Sequence, residues 1–379
     1  MFCFNGLCGF SCLVDENRLM SRKVLFVLPT DTLAGSELNL YRIAKELSER
    51  GMHVVVIFMC GGDNQTWLDV KAEKIYLAAT KERLGMMLLF FEFLKLCLSG
   101  YKFDYSFSSH VHCNALISLA RTLQLLKIKK QVSRESTNIF SWFDGVRLFT
   151  FKMFYRMYRS DSLLICQTQS MYNELIHNVP RLEKNQSLVL GNPIDYEGVE
   201  MRSLDPIEED LDQSIVFVGR LVGEKGVNIL IEAFKLLDAD LKLVILGDGP
   251  LLNDLKLMSL SLGISHKVHF FGHCSNPIPY MKHAKLTVIS SIHEGFPNVL
   301  LEQMVVSSKV VCTECAEGIE NLPGITVCEP NSAASLMAAM QQALEEITEN
   351  QTGNIALMRA HVKKRSVKGY VDKIIDVLS

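Results

Sequence analysis

The sequence lacks an apolar run long enough to cross a lipid bilayer, which takes about 20 consecutive residues. The nearest candidate, residues 84–100 (LGMMLLFFEFLKLCLSG), is too short and is interrupted by Glu92 and Lys95. The pattern therefore argues against a membrane-spanning helix, and we expect this segment to form a buried helix.

An excess of basic residues is also missing. Lys and Arg number 39 against 42 Asp and Glu, which leaves a formal net charge of −3 at pH 7. Because a general nucleic-acid binder needs a strongly positive balance, we expect no nucleic-acid partner. The 48% apolar and 21% charged residues are ordinary for a globular protein, so we expect no sizeable disordered tract.

Paired cysteines are scarce. Most of the eleven cysteines stand singly in the sequence, as small core residues of a reduced, cytosolic protein do. Cys312 and Cys315 have the two-residue gap typical of a metal or redox pair, but no second pair accompanies them. We therefore expect no metal site.

The first nineteen residues lack the basic start and the long apolar core of a signal peptide. Met20 leads almost directly into a strand-like run at residues 23–29 (KVLFVLP). We interpret residues 1–19 as a tail, or as sequence upstream of a true start at Met20, and expect no chemistry there.

What the sequence does contain is an alternation of short β-rich runs with helical patterns, which is typical of parallel α/β sheets. The alternation stops near residues 190–213, in a connector rich in Pro, Gly and acids, and then restarts. We predict two Rossmann-like, doubly wound parallel-sheet domains that face each other across a cleft. The predicted bounds are 20–192 for the N-terminal domain, 193–365 for the C-terminal domain, and 366–379 for a C-terminal helix that could cross back.

The stretch HEGFPNVLLEQM, residues 293–304, places Glu294 and Glu302 eight residues apart around a Gly-Phe-Pro-Asn turn. Glu302 stands in an apolar run, where an unpaired charge would be costly. Backbone amides at the start of the following helix could hold a phosphate, and Glu302 could bind the hydroxyls of a ribose. The residues of this turn that could contact a ligand are Gly295, Phe296, Pro297, Asn298 and Val299. Taken alone, the stretch is equally consistent with an acid near a helix N-terminus and a solvated helix residue.

A second candidate is VFVGRLVGEKGV, in which Gly219 and Arg220 end a strand and Lys225 precedes the next helix. Two cations five residues apart at such a turn can bind the two phosphates of a nucleotide diphosphate. The alternative is a pair of surface basic residues on a loop.

The first half offers a small-residue turn at Gly35, where a ligand could approach the backbone. This turn is not the Gly-x-Gly-x-x-Gly of a dinucleotide fold, which weakens a dehydrogenase interpretation. His110 and His112 follow a strand, and we expect both on the same side of an extended chain. Either histidine could hydrogen-bond a substrate hydroxyl, or be a partly buried structural residue.

Residues 146–161 (VRLFTFKMFYRMYRSD) mix basic and aromatic side chains. The pattern is compatible with a helix on a membrane surface. It is also compatible with a domain helix that carries solvated basic residues, which is the interpretation we favour.

Together these segments resemble the retaining nucleotide-sugar glycosyltransferases of family 4, which have the GT-B fold. The resemblance covers nearly everything from residue 23 to the C-terminus. Glu294 to Glu302 looks like the Glu-x7-Glu signature of that family. GRLVGEKG is similar to its Gly-Arg-Leu…Lys-Gly, GNPID to its Asn-Pro-Val-Asp, and AGSE to its Gly-Gly-x-Glu turn.

The resemblance implies a role for each matching residue, and generally no metal or other cofactor. The donor diphosphate would be bound by Gly219, Arg220 and Lys225, and the ribose by Glu302. Glu294 would bind the sugar hydroxyls or stabilise the developing charge, and the phosphate and sugar would contact Gly295 to Val299. Gly35 would approach the donor from the opposite domain, and His110 or His112 would face the transferred sugar.

The sequence departs from the family after Glu302, where the usual Gly and Pro are missing. This changes the turn into the next strand and removes no ligand-binding group. CTECAEGIENL resembles a segment of members that transfer galactose or N-acetylhexosamines; Gly318 and Glu320 are retained and the Pro is absent.

The resemblance implies a cytoplasmic enzyme, peripheral at the inner membrane. It would move a hexose or N-acetylhexosamine from a UDP-sugar, with retention, to a lipid-linked oligosaccharide for capsule or O-antigen. A UDP-sugar 2-epimerase of the same fold is an alternative that product analysis would distinguish. A non-catalytic paralogue would bind the donor without transfer, and the missing glycine fingerprint disfavours a dinucleotide oxidoreductase.

Overall fold

The computed structural model describes residues 22–33, 35–61, 66–237, 240–346 and 348–378. The expectation for residues 1–19 lies outside these ranges. The described chain forms two compact units: the first comprises the residues up to Pro193 together with those from Val367 onward, and the second comprises Ile194–Ser366. Among these residues, no helix combines the length and the apolar content needed to span a bilayer.

The first unit is built on a parallel sheet of seven strands in the order β3-β2-β1-β4-β5-β6-β7. Its strands are β1 (Lys23–Leu28), β2 (His53–Cys60), β3 (Ala72–Ala79), β4 (Lys102–Ser108), β5 (Lys127–Glu135), β6 (Leu163–Cys166) and β7 (Ser187–Val189). Its helices are α1 (Ser36–Glu49), α2 (Glu82–Leu98), α3 (Val111–Thr122), α4 (Ile139–Trp142), α5 (Gly145–Met157), α6 (Gln169–Asn178) and, from the C-terminus, α14 (Val367–Leu378).

The second unit has a parallel sheet of six strands in the order β10-β9-β8-β11-β12-β13. Its strands are β8 (Ser214–Val218), β9 (Lys242–Leu246), β10 (Val268–Gly272), β11 (Leu286–Ile289), β12 (Val310–Thr313) and β13 (Thr326–Cys328). Its helices are α7 (Tyr196–Arg202), α8 (Val227–Leu236), α9 (Leu252–Ser261), α10 (Ile278–His283), α11 (Asn298–Val306), α12 (Ala333–Glu345) and α13 (Thr348–Lys363).

Both sheets are covered on their two faces, which explains why central strands such as β2 (HVVVIFMC) are almost continuously apolar. In the first unit, α1 and α14 pack on one face of the sheet, and α2 and α3 pack on the other. The second unit likewise has one apolar core on each side of its sheet. The predicted fold class, two doubly wound α/β domains, is confirmed.

The strand order places the first strand of each unit in the interior of its sheet. In the first unit, the strands that follow β1 are added toward one edge of the sheet, and those that follow β4 are added toward the other edge. In the second unit, the strands that follow β8 and β11 are arranged in the same way. The crevice at the carboxyl ends of such a strand pair is where open α/β sheets bind ligands. The structure therefore offers one such crevice in each unit.

The chain passes from the first unit to the second at Pro193 and Ile194, and the acidic connector that follows contains the helix α7. Near the C-terminus the chain returns, because α14 packs against α1. Tyr370, Val371 and Ile374 of α14 are buried in the core of the first unit.

The expectation that residues 84–100 form a buried helix is wrong for half of the surface of α2. Leu89 and Phe93 on its inner face are fully buried against the sheet. Its outer face is also apolar and is exposed to solvent; Phe91, for example, is 68% exposed. This face is exposed because α2 is apolar on every side but packs against the rest of the unit on one side only.

Candidate active site

The loop after β8 carries the predicted cations to the switch point of the second unit. Gly219 and Arg220 follow the strand, a short 3-10 turn spans Gly223–Lys225, and α8 begins directly after Gly226. Gly226 has a left-handed backbone, with φ of 59°. A Cβ at this position would lie 2.2 Å from the carbonyl oxygen of Ser290, so only glycine lets the loop pack on the end of β11.

Lys225 and Glu294 meet at this point, although 69 residues separate them in the sequence. The Nζ of Lys225 lies 2.6 Å from Oε1 of Glu294, and both side chains are largely buried. The hydroxyl of Ser291 donates a second hydrogen bond to Oε1, at 2.5 Å. The hydroxyl of Ser290 donates to the carbonyl of Lys225 at 2.8 Å, which ties the two loops together.

The second carboxylate oxygen of Glu294 is available to a ligand. Within the described part of the chain Oε2 accepts no hydrogen bond, and it is not among the buried polar atoms that lack partners. The backbone amide of Glu294 donates to the carbonyl of Cys315 at 2.8 Å, which fixes the residue at the end of β12 as well. A hydroxyl-bearing ligand could therefore bind Oε2 without displacing Lys225.

Arg220 has a different environment. Its side chain is exposed and forms no hydrogen bond or ion pair with any residue in the described ranges. The adjacent Gly219 is tightly packed, because a Cβ on Gly247 of the neighbouring strand end would lie 1.8 Å from its carbonyl oxygen. The backbone is thus fixed while the guanidinium remains free to reach a phosphate.

The turn after β11 leads into α11, whose amino end lies at the same edge of the sheet. Pro297 lies just before this helix, as its N-cap, and α11 begins at Asn298. Phe296 is buried in the core beneath the guanidinium of Arg365, 4.9 Å from its ring centre. The side chain of Phe296 is therefore not accessible to a ligand, while Gly295 and Val299 are partly exposed.

Glu302 lies in α11 one helical turn after Asn298. Its side chain is 8% exposed, although the helix around it is almost entirely apolar and buried. This burial excludes the alternative of a solvated helix residue.

In the first unit, Gly35 and His110 lie at the starts of α1 and α3, the helices that follow β1 and β4. The expectation that His110 and His112 share one side of an extended chain is wrong, because the strand ends at Ser108 and His112 already belongs to the helix. Their ring centres are 5.6 Å apart.

The two histidines have separate partners. His110 Nε2 lies 3.3 Å from the hydroxyl of Ser36 and 3.4 Å from Oε1 of Glu37. His112 Nε2 lies 3.0 Å from Oε1 of Glu82. Burial, together with the charge of Arg134, lowers the pKa of His110 to about 4. Burial and the neighbouring His110 lower the pKa of His112 to about 4 as well, so both rings are neutral at physiological pH.

Sequence reasoning missed a buried carboxyl at the end of β5. Glu135 accepts hydrogen bonds from the hydroxyls of Tyr155 (2.9 Å) and Tyr158 (2.8 Å) and from Nδ2 of Asn114 (3.3 Å). Burial raises its pKa to about 7, although these hydrogen bonds act in the opposite direction. Asn114 lies one turn after His110, so this cluster supports the start of α3. The signal in the sequence was a charged pair, Arg134 and Glu135, closing a strand.

Arg134 is also buried, at 2% exposure. Its Nη2 donates to Oδ1 of Asn192 at 2.5 Å, while Nε and Nη1 lack hydrogen-bond partners among the residues described.

Ser291, which orients Glu294, was missed too, because a serine after a strand carries no signal by itself.

The chain is similar to known proteins in sequence. Residues 206–357 match the family described as "Glycosyl transferases group 1". An N-acetylgalactosaminyltransferase of Campylobacter jejuni acting on N-acetylgalactosamine-N,N'-diacetylbacillosaminyl-diphospho-undecaprenol is 34% identical over 168 residues, which are 44% of this chain and 46% of the relative. The lipopolysaccharide core biosynthesis glycosyltransferase LpsE of Rhizobium meliloti is 28% identical over 52% of this chain and 62% of its own length. The matched segments thus span about half of these two relatives.

The likeness in structure extends further along the chain. The crystal structure of Anabaena Alr3699/HepE in complex with UDP and glucose aligns with a TM-score of 0.78 at 18% identity. The alignment covers 94% of this chain and 99% of that one. At this level of identity the likeness shows the fold alone.

The two doubly wound parallel-sheet units define the GT-B class of fold. Within it, residues 206–357 are similar to the family described as "Glycosyl transferases group 1", and this matched segment contains Arg220, Lys225, Glu294 and Glu302.

Proposed function

We propose that this chain is a retaining glycosyltransferase of family 4. It would transfer a hexose or N-acetylhexosamine from a nucleotide-diphosphate sugar, with UDP as the nucleotide, to a lipid-linked oligosaccharide in surface polysaccharide biosynthesis. The UDP-bound neighbour and the relatives that act on lipid-linked or lipopolysaccharide sugars support the proposal. The enzyme would work in the cytoplasm, peripherally at the inner face of the membrane that holds its acceptor.

The observation that carries the proposal is the pairing of Lys225 with Glu294 at the carboxyl ends of β8 and β11. Lys225 supplies an ammonium with three donors, of which Glu294 uses one, so the others can bind a diphosphate. Arg220 adds a free guanidinium that can bind phosphate oxygens bidentately. Negative charge that develops on the departing diphosphate would therefore meet two cations.

The helix α11 would complete the donor site. The amides at its amino end and the positive end of its dipole favour an anion. Glu302, inside the same helix, would accept hydrogen bonds from the ribose hydroxyls. With Lys225, Arg220 and α11 supplying the positive charge, we propose that the enzyme needs no metal ion. In the first unit, Gly35 would approach the donor, and neutral His110 or His112 would hydrogen-bond the transferred sugar.

Donor turnover tests the assignment. Wild-type protein is incubated with a panel of UDP- and GDP-sugars and released nucleotide is measured, with and without EDTA. Lys225→Met and Glu294→Gln should each lower kcat/KM by at least about 100-fold, since each removes a charged contact that the transition state would use. Lys242→Met and Glu232→Gln, which neutralise exposed residues away from the site, are the matched controls.

The products separate this proposal from its alternatives. Transfer should give a glycoside with the anomeric configuration of the donor. Conversion of UDP-sugar to its 2-epimer without an acceptor would identify an epimerase. Binding of the donor without any turnover would identify a non-catalytic paralogue. Site variants that release nucleotide as fast as wild type would refute the residue assignment.

A further inference from the structure

The outer face of α2 carries a continuous apolar stripe. Leu84, Met87, Phe91, Leu94 and Leu98 recur at alternating spacings of three and four residues, and they are 42% to 81% exposed. This spacing places all five on one side of a helix. A soluble surface rarely leaves such a row of large apolar side chains without a partner.

A second helix has the same character. Val146, Phe149 and Met153 on α5 are exposed at spacings of three and four residues, and Trp142 precedes them one turn earlier. Val146 is 82% exposed, so the start of this helix presents an apolar side chain to solvent.

The two helices flank a third. Both α2 and α5 pack against α3. His112 of α3 marks the junction, since its Nε2 lies 3.0 Å from Glu82 of α2 and its ring centre lies 6.4 Å from that of Phe154 of α5. The helices α2 and α5 are therefore neighbours of the same helix, α3, which begins directly after His110.

The charged residues beside these faces are mostly basic. The exposed cations are Arg83, Lys95, Arg147, Lys152 and Arg156. The helix α5 contains no carboxylate, and α2 contains two. Of these, Glu92 is only 12% exposed and lies 3.4 Å from Lys95. Apolar side chains bordered by cations complement the headgroups and acyl chains of an anionic bilayer.

A second copy of the chain fits this surface less well. In a two-fold dimer the same patch meets itself, so the five cations of one copy would face those of the other with few carboxylates between them. Like charges at such short range are unfavourable. An anionic lipid surface satisfies both the apolar stripe and the cations.

The geometry points to the outer faces of α2 and α5 as the surface by which this protein docks on an anionic lipid bilayer. The inference deepens the proposed function, on which it rests for the lipid-linked acceptor. Docking through these helices would bring the start of α3, with His110 and His112, close to the membrane that holds the acceptor.

Vesicle co-sedimentation tests the proposal, with the full chain and without donor or acceptor. The protein should sediment with vesicles of phosphatidylcholine and phosphatidylglycerol, and should remain in the supernatant with phosphatidylcholine alone or at high salt. The double variant Phe91→Ser and Leu98→Ser should lose binding. The triple variant Arg147→Gln, Lys152→Gln and Arg156→Gln should bind roughly a hundredfold more weakly, since each cation near an anionic surface contributes about fivefold.

Matched variants in the second unit serve as controls. Leu257→Ser with Leu260→Ser removes two similarly exposed leucines, and Lys235→Gln with Lys242→Gln removes exposed cations. These proteins should bind vesicles like wild type. Far-UV circular dichroism confirms that every variant is folded.

Two vesicle results would overturn the docking surface: equal binding to neutral and anionic vesicles, or undiminished binding of the α2 and α5 variants. A third such result would be a dimer in light scattering for wild type and a monomer for the double variant Phe91→Ser and Leu98→Ser. The outcome is independent of catalysis. Intact vesicle binding with no nucleotide release would refute the proposed enzyme and leave the surface standing. Normal nucleotide release with no vesicle binding would refute the docking surface and leave the proposed enzyme standing.

Discussion

Glu294 shows how a few atoms determine the chemistry of this site. Its Oε1 accepts from Lys225 and Ser291, so the carboxylate is held in one orientation, while Oε2 accepts no hydrogen bond from the described residues. An ammonium and a hydroxyl that both donate to one oxygen fix the position of the carboxylate. Preorganisation of this kind is what a transition state with developing charge requires.

The contribution of Ser291 can be measured separately. Ser291→Ala removes a hydrogen bond to a carboxylate and should lower kcat/KM for donor turnover by about tenfold. Ser265→Ala, an exposed serine far from Glu294 in the sequence, should leave turnover unchanged. Equal effects of the two substitutions would show that Ser291 does not orient the carboxylate.

Glu135 gives the first unit a distinctive pH dependence. Its pKa rises from an ordinary value of 4.5 to about 7 in the folded protein. The folded protein therefore keeps a proton in this range that the unfolded chain has lost. The contribution to stability is complete below about pH 4.5 and is lost as the pH rises through about 7.

Glu135→Gln should remove this dependence. Relative to wild type, the variant should gain about 2 to 3 kcal/mol of unfolding free energy between about pH 5 and pH 8. Urea unfolding followed by tryptophan fluorescence is suited to the test, because both tryptophans, Trp67 and Trp142, lie in the first unit. Glu232→Gln is the exposed control. A pH-independent difference between variant and wild type would contradict the assignment.

At the scale of elements, the loop between β8 and α8 is held in place by backbone contacts that only glycine permits. Gly226→Ala combines a left-handed backbone with a clash against the carbonyl of Ser290. It should destabilise the second unit by about 2 kcal/mol or more. Gly223→Ala, three residues earlier in the same loop, meets no atom within 4 Å and should cost less than about 1 kcal/mol.

Thermal unfolding by circular dichroism distinguishes the two glycine variants. Donor turnover adds a second readout, because movement of this loop would also displace Lys225. If Gly226→Ala were as stable and as active as Gly223→Ala, the loop would not need the left-handed residue.

Elements were predictable where the sequence pattern had a single explanation. The alternation of apolar strands and amphipathic helices predicted the parallel sheets. Strand β3 escaped detection because Glu73 and Lys74 interrupt it, which an edge strand tolerates. The outer face of α2 was misjudged because an apolar helix gives no periodicity to separate an inner face from an outer one.

Candidate site residues were found from strand-end turns, but their contacts were not. The pairing of Lys225 with Glu294 depends on β8 lying beside β11, which local sequence does not specify. The histidines were assigned to an extended segment because the strand-to-helix boundary after Ser108 has no capping side chain to mark it.

At the scale of the whole molecule, the C-terminal segment is part of the core of the first unit. Ile374→Ala should destabilise that unit by about 2 to 4 kcal/mol, since it leaves a cavity between α14 and the sheet. Lys373→Ala, on the exposed side of the same helix, should have little effect. Urea unfolding followed by tryptophan fluorescence measures both. Equal stabilities would mean that α14 adds nothing to this core.

The central claim is that the second unit binds a nucleotide diphosphate through Arg220, Lys225 and the start of α11 without a metal ion. Calorimetric titration with UDP in the presence of EDTA tests it most directly. Wild type should bind, and Arg220→Met and Lys225→Met should each weaken the affinity by at least about tenfold, while Lys242→Met should not. Equal affinity of all four proteins for UDP would contradict the account.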